Sequence, residues 1–296
     1  MFPLYFRALR PAGPIEVLAH RIVWSLVSVT LLLAVVWRWR ALGALLKDKR
    51  KLSGISVAAV FIAVNWGVYI YAVDTDRVVE ASLGYFINPL FVILLGVLVL
   101  RERLRRLQWV ALGVGGLAVL VLSIDYGRLP WIALTLAGSF GTYGLIKKRL
   151  GLPAAEGLFL ESAVLTLPAL AFLTWLTAQH KGTFGTVSAW HTVMLALSGL
   201  LTAVPLLLFA EAANRVPLSG LGILQYLTPT LQLFLGVLVF AEPLPPARLA
   251  GFVIVWCALA IFTWDAIRTG RARRADVAKK ATEREEAAAV EVTATA

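Results

Sequence analysis

Apolar residues fill long unbroken runs in this chain, and polar residues sit between them in short clusters. Nine of these runs approach the roughly 20 residues that carry an α-helix across the hydrocarbon core of a bilayer. They lie at 15–37, 54–73, 82–100, 107–124, 129–146, 156–177, 189–211, 218–240 and 247–265. Each is continuous rather than alternating, so the pattern predicts spanning helices and not barrel strands. The expected fold class is an all-α polytopic membrane protein.

Composition agrees. Of 296 residues, 59% are hydrophobic and 15% are charged, against about 25% charged in an average soluble domain. One soluble core of this size cannot hide so much apolar surface, whereas lipid can solvate it. The net charge of +11 raises the question of nucleic-acid binding. The basic residues, however, lie between apolar runs and not on a polar domain. They read as topology signals and contacts to anionic headgroups, with membrane lipid as partner and no nucleic acid.

Those basic residues orient the chain. If successive runs alternate in direction, 21 Lys and Arg residues fall on one side and six on the other, with Arg21 inside a run. The richer side holds Arg38–Lys51, Arg101–Arg106, Lys147–Arg149, Arg215 and the C-terminal tail. The positive-inside rule puts that side in the cytoplasm. The N-terminus then falls outside, although residues 1–9, MFPLYFRAL, read as the tail of a helix and not as a signal peptide. The expectation is that most of a first transmembrane helix is missing from this sequence, and that the natural protein has ten spans. From about Arg268 the chain is rich in Ala, Glu, Arg and Thr without aromatics, which predicts a juxtamembrane helix fading into a disordered cytoplasmic tail over 268–296.

The sequence also repeats. At an offset of 140 residues, Pro89, Leu95, Gly96, Val97, Leu98, Val99, Glu102 and Leu104 recur as Pro229, Leu235, Gly236, Val237, Leu238, Val239, Glu242 and Leu244. Ala118 and Asp125 likewise match Ala258 and Asp265. The two copies run through the membrane in opposite senses, so the repeat is inverted. Two similar halves facing opposite ways can adopt two states of similar energy, each open to one side, as secondary transporters do. The halves are expected at 1–126 and 127–267.

At this point the residues carry a resemblance. EVLAHRIVWS (16–25), NWGVYIYAV (65–73), EASLGYFINPL (80–90), LRERLRRLQW (100–109), LTAVPLLLF (201–209) and LGILQYLTPTLQ (221–232) are similar to the RarD-type transporters. These form the chloramphenicol-sensitive-protein branch of the EamA group in the drug/metabolite transporter superfamily. The resemblance implies ten helices in two inverted five-helix repeats. It also implies movement of metabolites or drug-like solutes across a bacterial inner membrane. It fixes no substrate and transfers no site residues.

Ionisable and amide groups inside a bilayer are costly and therefore mark candidate sites. Glu16 and His20 are four apart and share a helix face, with Arg21 beside them about one turn into the run. This cluster reads as an anion contact or proton relay, or else as an interfacial salt bridge with Arg21 snorkelling outward. Glu161 is a candidate proton carrier, or a cytoplasmic-edge carboxylate paired with Lys147 or Lys148. Asn65 and Trp66 fall near mid-span, as does Gln232. Their polar groups suit either solute contact or helix–helix bonding. Tyr85, Asn88 and Pro89 are expected to face their repeat partners Gln225, Thr228 and Pro229, with Tyr226 adjacent. The two prolines bend both helices at matching places.

Other polar groups read as structural. Glu102 and Glu242 should order loops or pair with basic neighbours. Asp125 and Asp265 mark helix exits, and the glycines at 113, 115, 116, 138 and 141 permit close packing. Cys257 reads as a packed core thiol. His20, His180 and His191 are scattered, so neither a metal site nor a cofactor is expected. There is no Walker A, GxSxG or HExxH signature. A secondary transporter for a small-molecule solute is thus preferred over a scaffold or sensor, and over a membrane enzyme acting on lipid.

Overall fold

The computed structural model describes residues 2–35, 42–43, 45, 48–101, 103–215 and 227–294. They form α1 (Phe2–Ala8), α2 (Pro14–Val35), α3 (Lys49–Asp74), α4 (Val78–Leu100) and α5 (Arg106–Asp125). These are followed by α6 (Trp131–Leu150), α7 (Ala154–Ala178), α8 (Ala189–Arg215), α9 (Leu227–Val239) and α10 (Pro246–Ala294). No strand occurs among the described residues.

Seven helices are long and apolar enough to cross a membrane: α2, α3, α4, α5, α7, α8 and α10. The described part of α9, Leu227–Val239, is shorter, and residues 216–226 lie outside the described set. The apolar run of α6 is interrupted by Thr135, Ser139 and Thr142 and closes on Lys147–Arg149.

Local signals set the ends. The Asp48 carboxylate caps α3, accepting from the Arg50 and Lys51 amides at 3.1 Å each. Gly151, at φ 59°, ends α6 in the left-handed conformation and donates its amide to the Lys147 carbonyl. Pro89, Pro168 and Pro205 lie inside α4, α7 and α8, and each leaves one carbonyl of the preceding turn without its amide donor.

Packing expresses the inverted repeat. The first half is α1–α5 and the second α6–α10. The equivalent helices α2 and α7 pack on each other, as do α5 and α10. The contact of α2 with α8 is mirrored by that of α7 with α3. The outer surface is apolar, with Leu31, Leu98, Ile124, Leu167, Leu208 and Leu238 all exposed. Ser25, Asn65, Ser82, Ser139, Ser198 and Thr202 are buried. This is the arrangement lipid selects, because side chains that face hydrocarbon gain nothing from being polar. Cys257 lies on that exposed surface and not in the core, because the packed face of α10 is carried by Phe252, Val255, Ala258 and Leu259.

Two glycines fix helix crossings. A Cβ on Gly199 of α8 would collide with the Trp24 carbonyl and the Ser25 nitrogen of the α2 backbone. A Cβ on Gly84 of α4 would lie 2.8 Å from the Ala133 carbonyl oxygen of α6. Of the glycines expected to permit close packing, Gly115 lies against Leu90, and Gly138 and Gly141 against Phe91. Gly113 and Gly116 face open space.

Candidate functional site

One end of the bundle is tied together by polar contacts between helix ends. Glu242, just after α9, accepts from the Val78 and Val79 amides at 2.6 and 2.8 Å and so caps α4. Burial pushes its carboxyl above the usual range, and the two amides pull it partly back. Glu80 accepts from Arg128 at 2.9 Å and from the Ile132 amide at 3.2 Å, which joins α4 to the start of α6. Arg248 pairs with Asp125 at 3.0 Å, Arg10 with Asp74 at 3.3 Å and Arg7 with Asp76 at 3.4 Å. At the opposite end, Arg105 pairs with Asp265 at 2.6 Å. Asp125 and Asp265 thus tie the same helix pair, α5 and α10, at its opposite ends.

Between these ends lies a buried cluster of polar and aromatic side chains drawn from both halves. Arg21 of α2 is 7% exposed. Its Nε donates to the Thr202 hydroxyl of α8 at 2.8 Å. The guanidinium lies 4.1 Å from the Trp66 ring centroid and 5.6 Å from that of Phe6. Cation–π attraction to Trp66 compensates part of its desolvation. Tyr5, Tyr69 and Tyr85 are close enough to interact electrostatically with it. The Tyr69 and Tyr85 rings meet edge-on at 5.8 Å, and the buried Tyr69 hydroxyl has no hydrogen-bond partner among the described residues. Asn65 Nδ2 donates to the Leu136 carbonyl and the Ser139 hydroxyl at 3.1 Å each, and its Oδ1 faces the Tyr85 hydroxyl at 3.5 Å.

The structure divides the candidate residues between this cluster and other places. Arg21, Asn65, Trp66 and Tyr85 come together in it. Glu16 instead accepts from the Thr183 amide at 2.7 Å and hydroxyl at 2.9 Å. The His20 ring stacks on Phe184 at 4.7 Å. Arg21 is one residue further along α2 and therefore turns about 100° from His20 and about 140° from Glu16, into the bundle. It neither snorkels outward nor pairs with Glu16.

Glu161 pairs with Lys147 at 2.7 Å and accepts from the Tyr143 hydroxyl at 3.1 Å, apart from the Arg21 cluster. In α4, Asn88 and Pro89 line a groove of about 550 Å³ beside Arg103, Arg105 and Gln108. Pro229 is buried, and its carbonyl accepts from Ser82 at 2.8 Å, so α4 and α9 do meet. Gln232 is also buried. Gln225 and Tyr226 lie outside the described residues, as does Glu102. Among the described residues, no group of three His, Cys, Asp or Glu side chains could hold a metal.

Sequence reasoning missed Thr202, Tyr69, Glu80 and the capping role of Glu242. The first three lie in stretches that carry the family resemblance, so the signal was present without an assignment. Glu242 was expected to order a loop, and it caps a helix of the other half.

Two inverted halves, apolar outside and burying polar side chains where they meet, make up the architecture of a membrane transporter. The chain belongs to the EamA-like transporter family, whose model matches twice, over residues 1–124 and 129–264. It is 55% identical to Protein RarD of Streptomyces exfoliatus over 93% of this chain and 87% of that one. It is 42% identical to the uncharacterized transporter YojE of Bacillus subtilis, over 93% and 92% of the two chains. Identity to Protein RarD of Escherichia coli is 39%, over 91% of each chain. A crystal structure at 18% identity aligns with TM-score 0.57 over 90% of this chain and 93% of its own, which supports the fold alone.

Proposed function

We propose that this protein is a secondary transporter or permease that exports a small metabolite or drug-like solute across the bacterial inner membrane. The observation that carries this reading is the Arg21–Thr202 contact, which joins the two inverted halves within a buried polar cluster. A group made jointly by both halves is where rocking of one half against the other would expose a solute first to one side and then to the other. The halves are taken as 1–126 and 127–267, with the tail beyond them in the cytoplasm. The cross-tied end formed by Glu242, Glu80, Arg128 and Arg248 is the outer gate, and the lysine- and arginine-rich end faces the cytoplasm.

Untargeted mass spectrometry of cells and medium tests this, comparing a strain lacking the gene with one overexpressing it. A solute that builds up inside the first and outside the second supports export. Accumulation in the reverse sense means import. No change in any solute, with the protein inserted in the membrane, overturns the transporter reading.

A further inference from the structure

We infer that the transported solute carries a single carboxylate, and that Arg21 is the group that binds it. This rests on the transporter reading above and adds the substrate's chemistry. Arg21 sits seven residues into α2, about 10 Å below its end at 1.5 Å per residue. A guanidinium held there is costly unless something offsets its charge.

Among the described residues no carboxylate lies within ion-pair distance of it. Glu16 is bound by Thr183, Glu161 by Lys147, Glu80 by Arg128, and Glu242 is spent on the α4 cap. The protein instead surrounds Arg21 with neutral partners: one hydroxyl on Nε, the face of Trp66, and tyrosines that bring dipoles without charge. Thr202 fixes the guanidinium through Nε, which leaves the two terminal nitrogens as the pair that grips a carboxylate in a two-point fork.

The same geometry limits the ligand. Arg21 is one positive charge, and its neighbour His20 is turned away onto Phe184. A dianion such as a phosphate monoester would bury a second negative charge without a partner, so a monoanion fits. The aromatic side chains of Phe6, Trp66, Tyr69 and Tyr85 gathered about Arg21 suit an apolar or aromatic body behind the carboxylate. The unpartnered Tyr69 hydroxyl supplies a further donor to it.

The test has two arms. In cells, the mass-spectrometric comparison is repeated with Arg21→Gln and Arg21→Lys, with membrane levels measured for each. The solutes moved by the wild type should be monocarboxylates, and Arg21→Gln should lose them. With purified full-length protein, benzoate should stabilise the fold against heat far more than its neutral isostere benzamide. Arg21→Lys, which keeps the charge but not the fork, should weaken benzoate on the order of a hundredfold.

Movement of solutes without a carboxylate overturns the inference while leaving the transporter reading intact. So does undiminished export by Arg21→Gln. If Arg21→Gln does not reach the membrane, equal stabilisation of the wild type by benzoate and benzamide overturns the inference instead. If the inserted wild type moves no solute at all, the transporter reading itself fails.

Discussion

Gly199 and Trp24 meet backbone to backbone, with no room for even a methyl group between α8 and α2. This contact lies one turn from both Arg21 and Thr202, so it sets the distance at which the guanidinium reaches its hydroxyl. The atoms in the way belong to the main chain and cannot swing aside. Gly199→Ala should therefore push the helices apart, cost about 1–3 kcal/mol and impair transport. Gly113→Ala, with nothing within 4 Å of its Cβ position, should be neutral or stabilise by up to about 1 kcal/mol. Thermal unfolding of both variants in one detergent checks the contrast; equal melting points would refute it.

Lys147 and Glu161 form a pair whose carboxylate is almost fully buried. Removing one partner strands the other, whereas removing both strands nothing. Lys147→Met should cost about 3 kcal/mol or more, and Lys147→Met with Glu161→Gln should recover most of that loss. A double-mutant cycle read by chemical unfolding measures the recovery. Simple additivity would show that the pair is not coupled.

Glu242 couples stability to pH. Its carboxyl is held above the ordinary range, so the folded protein binds this proton more tightly than the unfolded chain does. Its contribution is therefore full below the ordinary carboxylate value and declines as pH rises through the window up to the raised value. Glu242→Gln should flatten that part of the wild-type melting-temperature profile, while Glu242→Ala should cost about 1–2 kcal/mol by uncapping α4. A Glu242→Gln profile parallel to wild type across the window would count against the assignment.

Asn65 links α3 to α6 through its amide and presents its carbonyl oxygen to Tyr85. Asn65→Leu should lose about 1 kcal/mol, in the range measured for hydrogen bonds between membrane helices. It should reduce transport more than that small loss explains. Export rate per inserted molecule, set beside the melting temperature, separates the two effects. Unaltered export would leave Asn65 a purely structural amide.

The sequence shows its limits in the fate of its candidate residues. Glu16, His20 and Arg21 look like one cluster along the chain, yet the third turns into the bundle while the first two stay with the 179–188 loop. Helical periodicity gives that divergence in angle, but only the positions of α7 and α8 say which direction is inward. Glu161 and Lys147 were already possible partners because each lies near a helix end on the same side. Thr202 had no such signal, since a threonine in an apolar run ordinarily bonds the carbonyl one turn back, as Thr202 also does to Ser198.

Hydrophobic run length and the placement of basic residues determined by themselves that this chain is a bundle of membrane helices, because bilayer thickness and leaflet charge act on each segment independently. The matching Pro, Gly and Glu positions determined that it has two related halves. What only the tertiary structure decided is which polar groups meet. Arg21 finds Thr202 across 181 residues of sequence, and Glu242 finds the start of α4 across 164. Such contacts depend on helix rotation and crossing, which glycine-sized approaches like that of Gly199 on Trp24 set and which no one-dimensional pattern records.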